Sequence, residues 1–299
     1  MNYKVLIIGH GSIGKRHAFL LKKRLKLKNI FIFTKQKINN YKSIHHLKNF
    51  KSINPNYIII ASSTKFHFNH LKYLEKNFKK IKILVEKPLF DKDRNLKIKN
   101  NKVFVGYNLR FHPIIKYIKK KLNKKKVIDI KIISNSFLPY WRKNRDYKKT
   151  SSAQRKLGGG VLLDLSHEID LARWLFGEIN LQYVLKGKFS KLAIDTDDLL
   201  RLYGKINKAN LSLDLNYYSR IPIRKIIVDL TNSTFHADLI HNELKIKTEN
   251  SSKTIKFPKF KIDDTYIEQH RAILNNNKKI LCDYDFAKKT MKIIDKIQK

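Results

Sequence analysis

The sequence is short of cysteine and of acid. Cys282 stands alone among 299 residues, so an internal disulfide and a zinc site assembled from cysteines are both excluded, and a reducing compartment fits. No apolar run approaches the roughly 20 residues needed to span a bilayer. The opening "YKVLIIG" reads at once as a strand and leaves no room for a charged-then-apolar signal segment, so cytoplasmic residence without a membrane partner is the expectation. Aspartate and glutamate number 24 against 65 lysines and arginines, for a formal net charge of +41. Such an excess usually points to nucleic acid or anionic surfaces. Here the cations run through almost every segment and only 12 are arginine. Runs such as "KLNKKKVID" and "LKKRLKLKN" read as solvated helix faces, and the abundance of Lys, Asn and Ile has the mark of AT-rich coding. No recognition helix or aromatic RNA motif accompanies the charge, so no nucleic-acid partner is expected; a nucleic-acid binder is the alternative, with salt-steep affinity as its signature. Internal repeats and low-complexity linkers are lacking too. His45, His46, His67 and His70 make no ligand set, so no metal is expected.

What is present is a chain with 42% hydrophobic residues, enough for real cores in one large or two ordinary domains. "KVLIIG", "NIFIF", "YIIIAS", "KILVEKP" and "VFVGYN" are short β-branched or aromatic runs, the early ones each followed by a turn and a helical pattern. That alternation predicts a Rossmann-type α/β domain with a parallel sheet over residues 1–120. Beyond "HPIIKYIKKKL" the pattern changes to alternating strands, from "VIDIKIISN" to "KTIKFP". They predict an α+β domain with a large, mostly antiparallel open sheet over residues 121–280. "DYDFAKKTMKIIDKIQK" is an aspartate-capped amphipathic helix, and it predicts a closing segment, 281–299, that packs back towards the first domain.

"LIIGHGSIGKRHA" sets Gly9, Gly11 and Gly14 directly after a strand and ahead of a helix. There the glycines permit a tight turn, backbone approach to a pyrophosphate and close helix–strand packing. Ser12 and Ile13, at the helix start, belong to the same expected contact set. Where an NAD-selecting acid would stand about twenty residues on, the sequence reads "IFTKQK". Thr34 and Lys35 replace the carboxylate, with Lys37 nearby. The expected cofactor is NAD or NADP, and the absent carboxylate favours NADP.

"GGGVLLDLSHEID" opens a helix whose Val161, Leu162, Leu165, Ile169, Ala172, Leu175 and Phe176 share one apolar arc. Asp164, His167 and Asp170 fall outside it as a polar stripe, with the imidazole between two carboxylates. That pattern suits a proton-transfer histidine; it also suits an ordinary helix surface. The preceding loop, "PYWRKNRDYKKTSSAQRKL", carries Trp141, Arg142, Arg145, Asp146 and Tyr147. Aromatic faces and forked donors are what a polyhydroxylated ring or an anionic sugar needs, and a basic surface loop is the other reading.

In chain order, the glycine turn, "IIIASSTKFHFNH", "ILVEKPLF", "VGYNLRFHP" and "GGGVLLDLSHEIDLARWLFG" resemble the Gfo/Idh/MocA oxidoreductase family, whose members resemble glucose-fructose oxidoreductase and inositol dehydrogenase. The resemblance implies a two-domain enzyme, a homodimer or homotetramer assembled through the open sheet, with Lys87 near the nicotinamide and the substrate hydroxyl. Ala61, Ser62, His67 and Glu86 join the expected cofactor contacts, and Tyr107, Asn108 and Arg110 the substrate cleft. The family histidine falls on His167, with Asp170 three residues later to orient the ring. The aspartate many members carry four residues earlier is Leu163 here, and Asp164, one place on and still near the histidine on a helix, is the expected catalytic substitute for it. The implied reaction is hydride transfer between the cofactor and a sugar or polyol, the "SHEID" form resembling enzymes for surface-polysaccharide sugars. His167, with an ordinary pKa near 6.5, is the expected acid/base and Lys87 its partner, both meeting the nicotinamide in one cleft. A non-catalytic dinucleotide-binding regulator on the same scaffold is the alternative; it needs neither residue.

Overall fold

The computed structural model describes residues 3–122, 125–142 and 145–299. The chain forms two compact units, Met1–Asn108 with Ile262–Lys292 and Leu109–Lys261 with Ile293–Lys299. The expected boundary near residue 120 compares with this division at 108/109, and the stretch from Ile262 groups with the first unit.

The first unit is built on strands β1 (Lys4–Ile8), β2 (Asn29–Phe33), β3 (Lys42–Ile44), β4 (Tyr57–Ile60), β5 (Lys82–Val85) and β6 (Lys102–Val105). They lie parallel in the order β3-β2-β1-β4-β5-β6, and Cys282–Asp283 pairs antiparallel beside β6. β1, β4 and β5 are continuous apolar runs because both faces of the sheet are covered: Val5 to Ile7, Tyr57 to Ile60 and Ile83 to Val85 are all 0% exposed. The strand order reverses between β1 and β4, and the crevice outside the carboxyl ends of such a pair is where doubly wound sheets bind ligands. Helices α1 (Ser12–Phe19), α2 (Phe50–Ile53) and α3 (His67–Asn77) are part of the crossovers. The helix Ile262–Leu274 belongs here as well, and its Tyr266 and Ile267 pack with Leu20, Ile13 and Leu25. Of the C-terminal helix Tyr284–Gln298, the part up to Lys292 groups with this unit, where Tyr284 donates to the Leu96 carbonyl at 2.7 Å and Lys288 pairs with Asp93.

The second unit carries β7 (Val127–Phe137), β8 (Ile179–Gly187), β9 (Leu199–Ile206), β10 (Ala209–Asn216), β11 (Tyr218–Leu230), β12 (Ser233–Asp238), β13 (Glu243–Lys247) and β14 (Ser252–Lys256). Their order is β14-β13-β12-β11-β7-β10-β9-β8, antiparallel except between β7 and β10. Alternation decides the faces. Ile130, Ile132, Leu200, Leu202, Leu213, Leu215, Ile226 and Val228 are buried at 1% exposure or less, while Lys131, Arg201 and Tyr203 point to the open side. Helices α4 (Pro113–Lys121), α5 (Val161–Asp164) and α6 (Ser166–Phe176) complete the unit, α5 lying against β9 and β10 and α6 against β7.

The apolar arc predicts one helix here; the chain forms two, because Leu165 (φ −99°, ψ 19°) leaves helical geometry between α5 and α6. Of the expected polar stripe, Asp164 and His167 are partly exposed while Asp170 is buried. α6 buries Glu168, Asp170 and Arg173 along with its apolar residues, and each charge has a partner: Arg224 for Glu168, Arg110 for Asp170, Glu178 for Arg173. Paired charges are the form in which ionised side chains are tolerated inside. No helix among the described residues is long and apolar enough to cross a membrane.

Candidate active site

In the first unit the β1–α1 turn has the geometry its glycines predict. Gly9 sits at φ +104°, and a Cβ there would lie 2.7 Å from the Ala61 carbonyl oxygen. A Cβ on Gly14 would lie 2.1 Å from the Gly9 carbonyl oxygen, so this glycine sets how closely α1 approaches the strand. Gly11 differs, for a Cβ there meets nothing within 4 Å. The fold itself does not require that glycine, whereas backbone approach to a pyrophosphate does. Gly11 is also the N-cap of α1, no side chain caps that end, and its first turn holds no acid. Amides at Ser12 and Ile13 therefore face the position where helix termini bind anions. The residues present fit a dinucleotide.

The strand ends beside this turn hold most of the other expected contacts. Thr34 is 9% exposed, and its hydroxyl accepts from the Gln36 amide at 3.1 Å. Lys35 is exposed. A cavity of about 380 Å³ is lined by His10, Lys15, Lys37, Ile38, Asn39, Asn40 and Tyr41, so Lys37 and Lys15 are the cations that border it. Ala61 and Ser62 follow β4. His67, 1% exposed, places its two ring nitrogens 3.0 Å from the carbonyls of Ser62 and Pro88, and burial lowers its pKa. It is a strut between two strand ends. Glu86 is 6% exposed with its carboxylate 2.9 Å from His17 Nε2, and Lys87, half-buried, precedes Pro88 through a cis bond. Tyr107 and Asn108 are buried; Asn108 Nδ2 donates to Thr265 Oγ1 at 2.6 Å.

In the second unit His167 opens α6 with its side chain 12% exposed and its Nε2 3.2 Å from Glu168 Oε1. Glu168 receives Arg224 from β11 through two hydrogen bonds, at 3.1 and 2.7 Å. Burial pushes the Glu168 carboxyl up, but Arg224 and His167 outweigh it and hold the pKa at about 2. Asp170, expected to orient the ring, is 0% exposed and held by Arg110 in a two-pronged contact of 2.9 and 2.6 Å. Arg110, expected in the substrate cleft, is accordingly itself buried, at 2%. Asp164 accepts from the Tyr217 hydroxyl at 2.7 Å, and Tyr217 meets Trp141 edge-on at 5.1 Å. The Trp141 indole donates to Ser136. Burial, then Arg145, lowers the pKa of Arg142, with Asp164 acting the other way. Tyr147 Oη accepts from the Ala193 amide. Residues 143 and 144 of this loop lie outside the described residues. Gly160, at φ +111°, leaves no room for a Cβ beside Asp197, whose other oxygen accepts from the Leu162 amide and whose carboxyl is pushed up by burial.

Sequence reasoning missed Glu168, Arg224, Tyr217 and Asp197. Glu168 is inside the motif, but a helix pattern gives no reason to prefer an i+1 carboxylate; its guanidinium lies 56 residues on, on another element.

A parallel sheet in this order, closed by a phosphate-binding glycine turn, defines an NAD-binding Rossmann unit, here joined to an open-sheet unit. Residues 3–98 match the model of the GFO/IDH/MocA oxidoreductase family, NAD-binding Rossmann fold, and residues 115–220 match that of the GFO/IDH/MocA C-terminal domain. The chain belongs to the GFO/IDH/MocA family and is an NAD-dependent oxidoreductase by that membership. No protein of curated function matches it by sequence. Its fold is similar to that of UDP-N-acetylglucosamine 3-dehydrogenase GnnA from Acidithiobacillus ferrooxidans, with TM-score 0.75 and 15% identity over 99% of this chain and 97% of that one. It is similar to a levoglucosan dehydrogenase in complex with NADH and L-sorbose, with TM-score 0.82 and 15% identity over 99% and 96%. It is also similar to the WlbA dehydrogenase from Bordetella pertussis in complex with NADH and UDP-GlcNAcA, with TM-score 0.78 and 13% identity over 99% and 94%.

Proposed function

We propose that the protein transfers hydride between a nicotinamide dinucleotide and a secondary hydroxyl or keto group of a sugar, polyol or sugar derivative. The observation that carries this is the glycine turn, where Gly11 alone serves no neighbour in its own fold. A bound dinucleotide would supply the hydride chemistry, which side chains lack. The chain's residues do the rest. Ser12 and Ile13 amides bind the pyrophosphate, and His167 takes the hydroxyl proton in oxidation and returns it in reduction. Glu168, kept ionised by Arg224, stabilises the imidazolium that His167 becomes when it takes the proton. Lys87 polarises the substrate oxygen. Asp164 and Tyr217, with Trp141, Arg142 and Tyr147, select the substrate.

NADP is the favoured dinucleotide, on the missing carboxylate at Thr34 and the Lys15 and Lys37 that border the adjoining cavity. A sugar for surface polysaccharides, free or nucleotide-linked, is supported by the family motif and by the nucleotide sugars named for two similar structures. A dimer or tetramer and a cytoplasmic setting rest on the family resemblance and the lone buried Cys282.

The test is a thermal-shift comparison of NAD and NADP, followed by a sugar screen read by absorbance of the reduced cofactor. With the sugar in hand, His167→Ala or Lys87→Met lowers kcat by about 10²- to 10⁴-fold, the usual contribution of a positioned proton-transfer group. Loss of less than about threefold from both would refute the assignment.

A further inference from the structure

Four buried side chains of the first unit, far apart in sequence, stand in one unbroken line. Tyr57 Oη lies 2.8 Å from His270 Nδ1, His270 Nε2 lies 2.9 Å from His17 Nδ1, and His17 Nε2 lies 2.9 Å from Glu86 Oε1. Tyr57, His270 and His17 are 0% exposed and Glu86 6%. A carboxylate only accepts, so His17 donates from Nε2, and a neutral His17 then accepts at Nδ1. His270 then donates from Nε2 and accepts at Nδ1 from the Tyr57 hydroxyl. With both rings neutral this assignment satisfies all three contacts, with every donor pointing towards Glu86. The far end of the line is a fully buried phenol with no opening to water, so it is not a route for protons to solvent.

Its near end is the residue before Lys87. A Cβ on Gly106 would come within 2.7 Å of Glu86 Oε1, so the carboxylate is enclosed on that side too. His67 grips the Pro88 carbonyl. The backbone of Lys87 is therefore held at both neighbours, while its side chain is half-buried. We propose that Tyr57, His270, His17 and Glu86 are positioning residues: a dry, one-directional hydrogen-bond chain that fixes the strand end bearing Lys87, and that makes the helix Ile262–Leu274 part of the catalytic apparatus. The proposal rests on the role given to Lys87 above.

Nitrogen-15 NMR of the imidazoles in the full-length wild-type protein tests the chain without any substrate. The expected result is that His17 and His270 are both neutral with the proton on Nε2; a protonated His17, or a proton on Nδ1 of either ring, overturns the proposal. In turnover, Tyr57→Phe and His270→Leu lower kcat by about 10- to 100-fold, as small misplacements of a reacting group do, with the dinucleotide Kd changed by less than about twofold. His270→Gln, which still accepts from Tyr57 and donates towards His17, recovers most of the lost kcat. Unchanged kcat in Tyr57→Phe, or no recovery in His270→Gln, also overturns it. Failure of the wild type to bind dinucleotide would refute the functional reading instead, while the tautomers would still decide whether the hydrogen-bond chain exists.

Discussion

Glu168 shows how much one side chain depends on its surroundings. It is 1% exposed, yet Arg224 and His167 keep it ionised to about pH 2. Removing the guanidinium leaves a buried charge unpaired, so Arg224→Met is expected to cost about 3 kcal/mol of stability in urea unfolding at pH 7. The folded pKa lies below the ordinary carboxylate value of 4.5, so this contribution is complete above pH 4.5 and is lost as pH falls towards 2. At pH 2 the variant and the wild type should therefore differ much less. At this scale the sequence singles out candidates whose proposed role follows from their own chemistry, as with the lysine before Pro88 or the histidine of the α6 motif. It is not legible where the role comes from a distant partner. Nothing local separates Asp170, which binds Arg110, from Glu168, which faces His167.

Among the elements, those with a strong period are readable. All five expected strands of the first sheet form, and the alternating stretch from "VIDIKIISN" to "KTIKFP" supplies the strands of the second. β3 escapes because it is three residues long inside a lysine- and asparagine-rich stretch. The division of α5 from α6 escapes because Leu165 keeps the apolar spacing while leaving helical geometry. Nor does any periodicity reveal that the helix Ile262–Leu274 serves the first unit, since its His270 meets His17 across 253 residues. The β1–α1 turn, in contrast, is readable because glycine spacing encodes its backbone directly. Gly14→Ala should drive a Cβ into the Gly9 carbonyl and lower stability by about 3 kcal/mol in urea unfolding, as overpacking does.

For the whole molecule, charge and buried histidines govern response to conditions. A formal net charge of +41 implies self-repulsion that salt screens, so Tm should rise between about 0.05 and 0.5 M NaCl. Burial, helped by Arg224 and Lys116, lowers the His112 pKa to about 4. Burial, helped by His67, lowers that of His70 to about 4 as well. Unfolded histidines take up protons near pH 6.5, so this stability is present above that pH and is lost as pH falls from 6.5 to 4. For His112, 1% exposed, the loss amounts to about 3 kcal/mol. Urea unfolding at pH 7 and at pH 4.5 checks the direction.

The proposed function depends first on a glycine turn shaped for a dinucleotide, and Gly11→Val tests that most directly. The position has φ −72° and a Cβ there meets nothing within 4 Å, so the variant should fold, with Tm lowered by no more than the few degrees that about 1 kcal/mol of lost N-cap preference costs. Its affinity for NAD and NADP by calorimetry should nonetheless fall at least tenfold, about 1.4 kcal/mol. Equal affinity in the two proteins would contradict the proposed function.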